Sequence, residues 1–302
     1  MFSWLGGRRR AIVIETKRLP SFFIVGPPRT GTSWLHEVLT PNAVLPSPTK
    51  ETRFFDQHFR KGLGWYLSHF PCRPDRKIVG EVAPTYFASA NARERISRLI
   101  PDAKVVCVFR NPVERVFSLY RLKRAHGMFR WSFEQAIQND PELLESGRYA
   151  THLKEWLNTF GEHRVLVTVY EDMKRDPQAF LNSITEFLAI PNITLSPSQT
   201  RFINASEGLT HPRSYFLTRA ATETANWFKA ARLDRVLATA KRQALLNLFL
   251  RSGSHFESLT PDRATMLYEL FRPEVEELES ILNRDFTGWK SAATASAIQM
   301  SA

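Results

Sequence analysis

A short loop near the start of the chain has the residue types of a phosphate-binding site. It spans residues 26–33, Gly-Pro-Pro-Arg-Thr-Gly-Thr-Ser, between an apolar run at 22–25 and a stretch with helical apolar spacing. A tight turn of this kind aims successive backbone N–H groups and the positive end of a helix dipole at one point. That arrangement suits a phosphate and requires no acidic metal ligand, so we interpret the loop as a phosphate cradle.

The loop departs from the Walker A pattern where that pattern carries its lysine. Gly26, Gly31 and Ser33 have the Walker A spacing, but Thr32 stands at the lysine position. The lysine of nucleotide-hydrolysing enzymes reaches the β- and γ-phosphates. Here the cation stands earlier, as Arg29, inside the loop itself. The departure argues against a P-loop kinase or nucleotide hydrolase that uses ATP and Mg²⁺, which we retain as the alternative function.

A second phosphate site is predicted after the clearest strand of the sequence. Residues 104–109 are apolar on both faces, as in a central parallel strand, and the next residue is Arg110 rather than an acidic metal ligand. Ser118 follows eight residues later, within the next predicted helix. Ligands of open α/β sheets lie beyond the carboxyl ends of the strands, and arginine can bind a phosphate through two charge-assisted hydrogen bonds. The sequence therefore predicts a nucleotide with phosphates at two separate places and no metal.

Predicted strands alternate with predicted helices along most of the chain. Strands are predicted at 22–25, 77–82, 104–109 and 165–170, and a stretch with helical apolar spacing follows each one. This alternation is typical of an α/β protein with a mainly parallel sheet. Near the end of the chain, Thr260 and Pro261 predict a helix start, and Pro273 predicts an interruption of that helix.

The composition fits one domain that meets an anionic partner. The 302 residues are 43% hydrophobic, enough for a sizeable core, and carry a formal net charge of +11. We predict a basic lead-in at 1–19, a single domain at 20–290 and a disordered tail at 291–302. Nucleic-acid binding would fit the net charge alone, but no recognised module supports it, and we expect no nucleic-acid partner.

Cysteine content and hydropathy bear on the compartment. Cys72 and Cys107 are the only cysteines, which suggests no disulfide framework and suits a reducing compartment. No apolar run approaches the ~20 residues of a membrane span, and the start of the chain lacks the order of a secretory signal. We expect a cytoplasmic location. The basic helical pattern at 214–251 predicts a solvated helix packed on the core, with peripheral contact to an anionic membrane as the alternative.

The two phosphate motifs, taken together, resemble those of the PAPS-dependent sulfotransferases, where PAPS is 3′-phosphoadenosine 5′-phosphosulfate. Residues 26–35 look like the 5′-phosphosulfate loop of that family, and residues 110–118 look like its 3′-phosphate motif. The chain is more similar to the heparan sulfate and carbohydrate branch than to the cytosolic phenol and steroid enzymes. The matching residues are 50–51, 54–56, 62–66, 80–81, 84–87, 149, 152–153, 156–157, 283–286 and 289. The resemblance implies a three-layer P-loop NTPase-like fold, a central mainly parallel sheet flanked by helices.

The resemblance also implies a reaction. The donor would be PAPS, the product adenosine 3′,5′-bisphosphate, and the acceptor a hydroxyl or amine of a glycan, glycolipid or similar molecule, with no metal required. Glu51 would act as general base and Arg29 would stabilise the leaving phosphate. The implied donor-binding residues are Pro28, Arg29, Thr30, Gly31, Thr32, Ser33, Arg110 and Ser118. The implied acceptor contacts are Lys50, Glu81, Tyr86 and His58.

Several of these roles keep an alternative. Glu51 could instead be a surface carboxylate paired with Lys50 or Arg53, and His58 could replace it as the base. Glu81 could hold the acceptor or only orient neighbouring backbone. The basic residues of the helix after Arg110 are expected to form a solvated face, with an anionic-glycan groove as the alternative: Arg115, Arg121, Lys123 and Arg124.

Three departures from the family bear on these expectations. The usual loop lysine is Arg29, and the lysine often found after the glutamate at position 81 is Val82. The change at Val82 concerns acceptor contacts more than donor binding. The membrane anchor typical of that branch is also missing, which favours the cytoplasm over the secretory pathway.

Overall fold

The computed structural model of the protein describes residues 19–71, 78–201 and 258–290. These residues form a five-stranded sheet in which every pair of neighbouring strands is parallel, in the order β2-β3-β1-β4-β5. The parallel sheet predicted from the sequence is thereby confirmed. The strands are β1 (Phe22–Ile24), β2 (Ala43–Val44), β3 (Ile78–Val82), β4 (Lys104–Phe109) and β5 (Val165–Val169).

Helices connect the strands and cover the sheet. Several of them begin with a proline after a capping side chain; the Asn111 side chain, for example, accepts hydrogen bonds from the N–H groups of Val113 and Glu114. The helices are α1 (Thr32–Leu39), α2 (Gly62–Leu67), α3 (Ala90–Leu99), α4 (Pro112–Ala125), α5 (Phe133–Asn139), α6 (Glu142–Glu145), α7 (Tyr149–Phe160), α8 (Tyr170–Arg175), α9 (Pro177–Leu188), α10 (Pro197–Arg201) and α11 (Pro261–Leu282). A π-helical turn, Phe54–His58, precedes α2.

Side chains that alternate along the central strands supply two separate cores. Phe23 of β1 and Val105 of β4 point into a core with α3, α4, α7 and α11, whereas their neighbours Phe22 and Val106 point into a second core with α1 and α9. All four side chains are fully buried. Because apolar residues cover both faces of the sheet, the fold has three layers, helix–sheet–helix.

Helix α11 corrects the interruption predicted at Pro273. The helix runs without a break from Pro261 to Leu282, with Pro273 inside it. A proline at this place removes one backbone hydrogen bond and strains the preceding turn. Phe271 on one side of Pro273 and Val275 on the other are both buried in the same core. This packing on both sides of the proline offsets the lost hydrogen bond, so the prediction was wrong.

Helix α4 corrects part of the solvated face predicted for its basic residues. Arg115 is fully buried and donates hydrogen bonds to Ser146 Oγ (2.8 Å) and to the backbone oxygen of Leu143 (2.5 Å). Lys123 is buried as well, with Nζ 2.6 Å from a carboxylate oxygen of Asp140 and 2.6 Å from one of Glu142. The sequence pattern missed these contacts because the partners come from the following segment, α5–α7.

Some sequence predictions lie outside the described residues. They are the basic lead-in up to residue 18, Cys72, the basic segment 214–251 and the tail 291–302. Cys107 lies in β4 and is fully buried. Within the described residues, no helix combines the length and the apolar character that crossing a membrane requires.

Candidate active site

The phosphate loop joins β1 to α1 at the carboxyl edge of the sheet. A Cβ at Gly26 would lie 2.5 Å from the backbone nitrogen of Val108, so only glycine allows the loop to pass this close to β4. Gly31 has a φ of 90° and is the N-cap of α1, where no side chain of the described residues caps the helix. The Thr30 hydroxyl donates to the backbone oxygen of Pro27 at 2.8 Å. The first N–H groups of α1 are therefore left for a ligand, as a phosphate cradle requires.

Arg29 connects the phosphate loop to the second motif. Its Nε donates to Ser118 Oγ of α4 at 2.9 Å, and its backbone oxygen accepts from Arg110 Nη1 at 3.5 Å. Burial lowers the pKa of Arg29, and the positive charge of Arg110 lowers it further. The structure thus brings the two predicted phosphate-binding motifs together, with two cations side by side.

Arg110 already has an acidic partner in α4, the helix that follows it. Its Nη2 and Nε donate to the same oxygen of Glu114, at 2.8 and 3.2 Å, and its guanidinium lies 4.6 Å from the ring centre of Tyr170. Burial alone would lower the pKa of Arg110, but Glu114 and Tyr170 raise it overall. A bound phosphate would therefore either use Nη1 or displace the carboxylate of Glu114.

Glu171 is a site residue that the sequence reasoning missed. It is the second residue after the end of β5, and its Oε1 accepts a hydrogen bond from the backbone N–H of Asn111 at 3.0 Å. Burial raises the pKa of Glu171 to about 7. Its other oxygen, Oε2, is buried without a hydrogen-bond partner among the described residues. The available signal was an acidic residue at the carboxyl end of a predicted parallel strand, where ligands of such sheets bind.

Lys50 and Glu51 face the start of α1. Lys50 Nζ lies 3.3 Å from Glu51 Oε1 and donates to Ser33 Oγ at 3.1 Å. Burial lowers the pKa of Lys50, Glu51 opposes that effect, and Arg29 adds to it. Glu51 therefore has the ion pair with Lys50 that we weighed as its structural alternative. About a quarter of each side chain stays exposed, 27% for Lys50 and 28% for Glu51, so both remain accessible to a ligand.

Glu81 is fully buried and accepts hydrogen bonds from Thr52, the residue after Glu51. Its Oε1 accepts from the N–H of Thr52 at 2.8 Å and from the Thr52 hydroxyl at 2.6 Å, and its Oε2 accepts from the Tyr66 hydroxyl at 2.8 Å. The buried hydroxyl of Tyr86 lies 3.3 Å from both carboxylate oxygens. Burial raises the pKa of Glu81 to about 7, although these hydrogen bonds act in the opposite direction. Two roles were considered for Glu81, and this placement favours the one in which it orients the neighbouring backbone over the one in which it holds the acceptor. Tyr86 belongs to the same buried hydrogen-bond network.

The two histidines near the site lie on different elements. The ring of His58 packs edge-on against Trp65, with ring centroids 5.4 Å apart. Burial lowers the pKa of His58, and the positive charge of Lys61 lowers it further. These contacts do not place His58 beside Glu51. His36, which sequence reasoning passed over, lies one turn after Ser33 on α1. Burial, followed by the charge of Lys50, lowers the pKa of His36 to about 4.

No cluster of three or more His, Cys, Asp or Glu side chains within the described ranges is arranged to hold a metal ion. The independence from metal expected from the sequence stays a prediction, because a donor phosphate could itself bring a cation. For a phosphate, the described residues supply the positive charge of Arg29 and Arg110 and the first N–H groups of α1.

Comparisons with known proteins agree with this geometry. The family described as sulfotransferase domain matches residues 19–211. Bifunctional heparan sulfate N-deacetylase/N-sulfotransferase 2 from Bos taurus is 34% identical over 196 residues, which are 57% of this chain and 22% of that protein. Bifunctional heparan sulfate N-deacetylase/N-sulfotransferase 1 from Xenopus laevis is 30% identical over 198 residues, which are 58% of this chain and 23% of that protein. The chain thus spans less than a quarter of the length of these curated relatives.

A solved structure shares the fold. The sulfotransferase from Alicyclobacillus acidocaldarius superposes with a TM-score of 0.64 at 23% sequence identity, covering 90% of this chain and 99% of that one. The three-layer architecture with a parallel sheet, expected from the motifs, is confirmed by this similarity.

Proposed function

Because the chain belongs to the sulfotransferase family, we propose that it transfers a sulfuryl group from PAPS to a hydroxyl or amine of a glycan or glycolipid. The single observation that carries the proposal is the contact of Arg29 with Ser118, which joins the phosphate loop to a second cationic site. A glycan acceptor is supported by the names of the relatives, which act as heparan sulfate N-sulfotransferases.

The residues present fit a donor with two separate phosphates. Arg29 and Arg110 lie close enough that the charge of Arg110 lowers the pKa of Arg29, and an anion between them would relieve that repulsion. The uncapped N-terminus of α1 together with Thr30–Ser33 would hold the 5′-phosphate, and Arg110 with Ser118 the 3′-phosphate. When bound, PAPS supplies the sulfuryl group and the phosphate that leaves.

The chain's own groups then have separate tasks. Glu51 takes the proton from the acceptor O–H or N–H, while the acceptor atom forms its bond to sulfur and the bond from sulfur to the leaving phosphate oxygen breaks. Arg29 and the N–H groups of α1 stabilise the charge that develops on that phosphate. Thr52 and Glu81 hold the backbone beside Glu51, so the carboxylate is presented from a fixed position.

Binding measurements test the proposal against its alternative, an ATP-dependent P-loop enzyme. Calorimetry should show binding of adenosine 3′,5′-bisphosphate without metal and little binding of ATP-Mg²⁺. Arg110→Ala should weaken bisphosphate binding roughly 10- to 100-fold, because it removes charge-assisted hydrogen bonds. Arg98→Ala is the matched control, since the Arg98 side chain is 75% exposed on α3. Binding of ATP-Mg²⁺ but not of the bisphosphate would contradict the proposal.

A transfer assay tests the acceptor class. With radiolabelled donor, de-N-sulfated heparan sulfate should become labelled on amine or hydroxyl groups, while chondroitin and a neutral glycolipid serve as comparison acceptors. If only the glycolipid became labelled, the protein would still be a sulfotransferase, but its acceptor would be a glycolipid rather than a polysaccharide.

A further inference from the structure

Lys50 lies between the phosphate loop and the predicted base, and the reaction described above gives it no task; the family resemblance implies only that it contacts the acceptor. Its Nζ donates to Ser33 Oγ at 3.1 Å and lies 3.3 Å from Glu51 Oε1. Ser33 belongs to the first turn of α1, whose N–H groups point toward the bound phosphate in the proposed function. The Lys50 ammonium therefore contacts both the phosphate loop, through Ser33, and the predicted base, Glu51.

The backbone that carries Lys50 is anchored two residues away. Thr52 uses both its N–H and its hydroxyl to bind the buried carboxylate of Glu81. Within β3, Glu81 is paired in register with Phe23 of β1, the strand that leads into the phosphate loop. The distance from the Lys50 backbone to that loop is therefore set by the sheet, and the ammonium is held where it is by rigid elements rather than by a free loop.

The ammonium of Lys50 keeps one hydrogen-bond donor for a ligand. An ammonium has three N–H donors, and within the described part of the chain only Ser33 Oγ and Glu51 Oε1 engage it. The neighbourhood is also short of negative charge, since Arg29 lowers the pKa of Lys50 and Lys50 lowers that of His36. An anionic oxygen placed between Ser33 and Glu51 would take up the third donor and offset the excess positive charge.

We propose that Lys50 is a further catalytic residue of this site, whose ammonium binds an oxygen of the sulfuryl group while it remains paired with Glu51. The inference rests on the proposed function and deepens it. During transfer, Glu51 gains the acceptor's proton and loses its charge, so the Lys50–Glu51 ion pair disappears. The full positive charge of Lys50 then acts on the sulfuryl oxygens as the bond from sulfur to the leaving phosphate breaks. Uptake of the proton by the base and stabilisation of the donor's charge are thereby coupled through one side chain.

The test compares two ligands that differ only in the sulfuryl group. PAPS and adenosine 3′,5′-bisphosphate are titrated calorimetrically, without acceptor, into the wild-type protein, Lys50→Met and Lys61→Met. Lys61 is the matched control, because it lies in the same segment but its Nζ packs over the ring of Trp65, 4.4 Å from the ring centre. We expect Lys50→Met to weaken PAPS binding about tenfold and bisphosphate binding less than twofold, as for the loss of one hydrogen bond to a charged group. Lys61→Met should change neither affinity.

The outcomes separate this inference from the proposed function. Equal weakening of both ligands would show that Lys50 binds only the phosphate, and unchanged PAPS affinity would show that it binds no part of the donor; either result overturns the inference. A wild-type protein that binds neither ligand would overturn the proposed function itself. Thermal unfolding of Lys50→Met and of a second variant, Lys50→Gln, checks that the fold is intact, and Lys50→Arg should recover most of the PAPS affinity because it keeps the charge.

Discussion

Replacing Glu81 by glutamine removes the one charge from a fully buried hydrogen-bond network. The carboxylate accepts from Thr52 and from the Tyr66 hydroxyl, and burial raises its pKa to about 7 from the ordinary value of 4.5. A glutamine at this position keeps an acceptor oxygen for Thr52, while its amide can donate to a tyrosine hydroxyl. The variant should therefore fold with the same contacts but without the titration.

The sign of the effect follows from the two pKa values. Below pH 4.5 the carboxyl is protonated in both the folded and the unfolded state and contributes no pH dependence. Between pH 4.5 and about 7 only the unfolded state releases the proton, so the free energy of unfolding falls as the pH rises. Above about pH 7 the full loss is present, and at ~1.4 kcal/mol for each pH unit it amounts to about 3 kcal/mol.

Urea unfolding at pH 4.5, 5.5, 6.5 and 7.5 measures this loss. The quantity of interest is the free energy of unfolding of Glu81→Gln minus that of the wild-type protein, because other titrating groups cancel in the difference. We expect this difference to rise by about 3 kcal/mol across the series, in favour of the variant. A difference that stays constant with pH, or that falls, would show that Glu81 is ionised in the folded protein at low pH and would refute the reasoning.

Three further predictions concern the base, a helix end and the phosphate loop. Glu51→Gln should lower turnover by at least ~100-fold in the transfer assay and leave bisphosphate affinity unchanged in calorimetry, whereas normal turnover would remove Glu51 from the role of base. Ala189 has a φ of 57° at the end of α9, so Ala189→Gly should raise the Tm by ~2–4 °C, with a smaller gain for Asn283→Gly because asparagine tolerates this conformation; a lower Tm for Ala189→Gly would contradict the strain. Gly26→Ala places a Cβ 2.5 Å from the nitrogen of Val108 and should both lower the Tm and weaken bisphosphate binding, and unaltered binding would show that the loop can shift.

Local patterns account for the parts of the fold and site that the sequence predicts. The apolar run 104–109, with Arg110 after it, is a short-range signal, and the structure shows a buried parallel strand there with Arg110 at its end. Parallel strands end at one edge, so Arg29 and Ser118 could be expected near one another, although they are 89 residues apart in sequence. Their direct hydrogen bond could not be predicted, because it depends on the left-handed backbone of Arg29, with a φ of 79°.

Long-range packing decides the features that local patterns missed. Glu81 could be a surface acceptor ligand or a buried anchor, and the choice depends on Tyr66 and Thr52, which are 15 and 29 residues away. Arg115 looks like part of a charged helix face, yet its guanidinium is buried against a segment about 30 residues later. In both cases the partner is set by tertiary structure, and the periodicity of the residue's own element contains no information about it.

Two carboxylates with raised pKa values hold the two functional segments by the same device. Glu81 binds the N–H of Thr52, the residue after Glu51, and Glu171 binds the N–H of Asn111, the residue after Arg110. Burial raises both pKa values to about 7. A hydrogen bond to an ionised carboxylate is stronger than one to a neutral carboxylic acid. Ionisation of these two carboxyl groups therefore lowers the free energy of unfolding and, at the same time, strengthens the hydrogen bonds that hold the two segments.

Stability and catalysis should therefore respond to pH in opposite directions near pH 7. As the pH rises from 6 to 8, the free energy of unfolding should fall, while kcat for sulfuryl transfer should rise because the segments that carry Glu51 and Arg110 become better fixed. The double variant Glu81→Gln, Glu171→Gln keeps neutral acceptors at every pH, so both trends should flatten in it. A kcat profile of the double variant that still rises as steeply as that of the wild-type protein would assign the rise to another group. If the free energy of unfolding of the double variant still fell with rising pH, another titrating group would be responsible for that fall. Because kcat and the free energy of unfolding are measured on the same variant, an effect on the positioning of the catalytic segments is distinguished from an effect on folding.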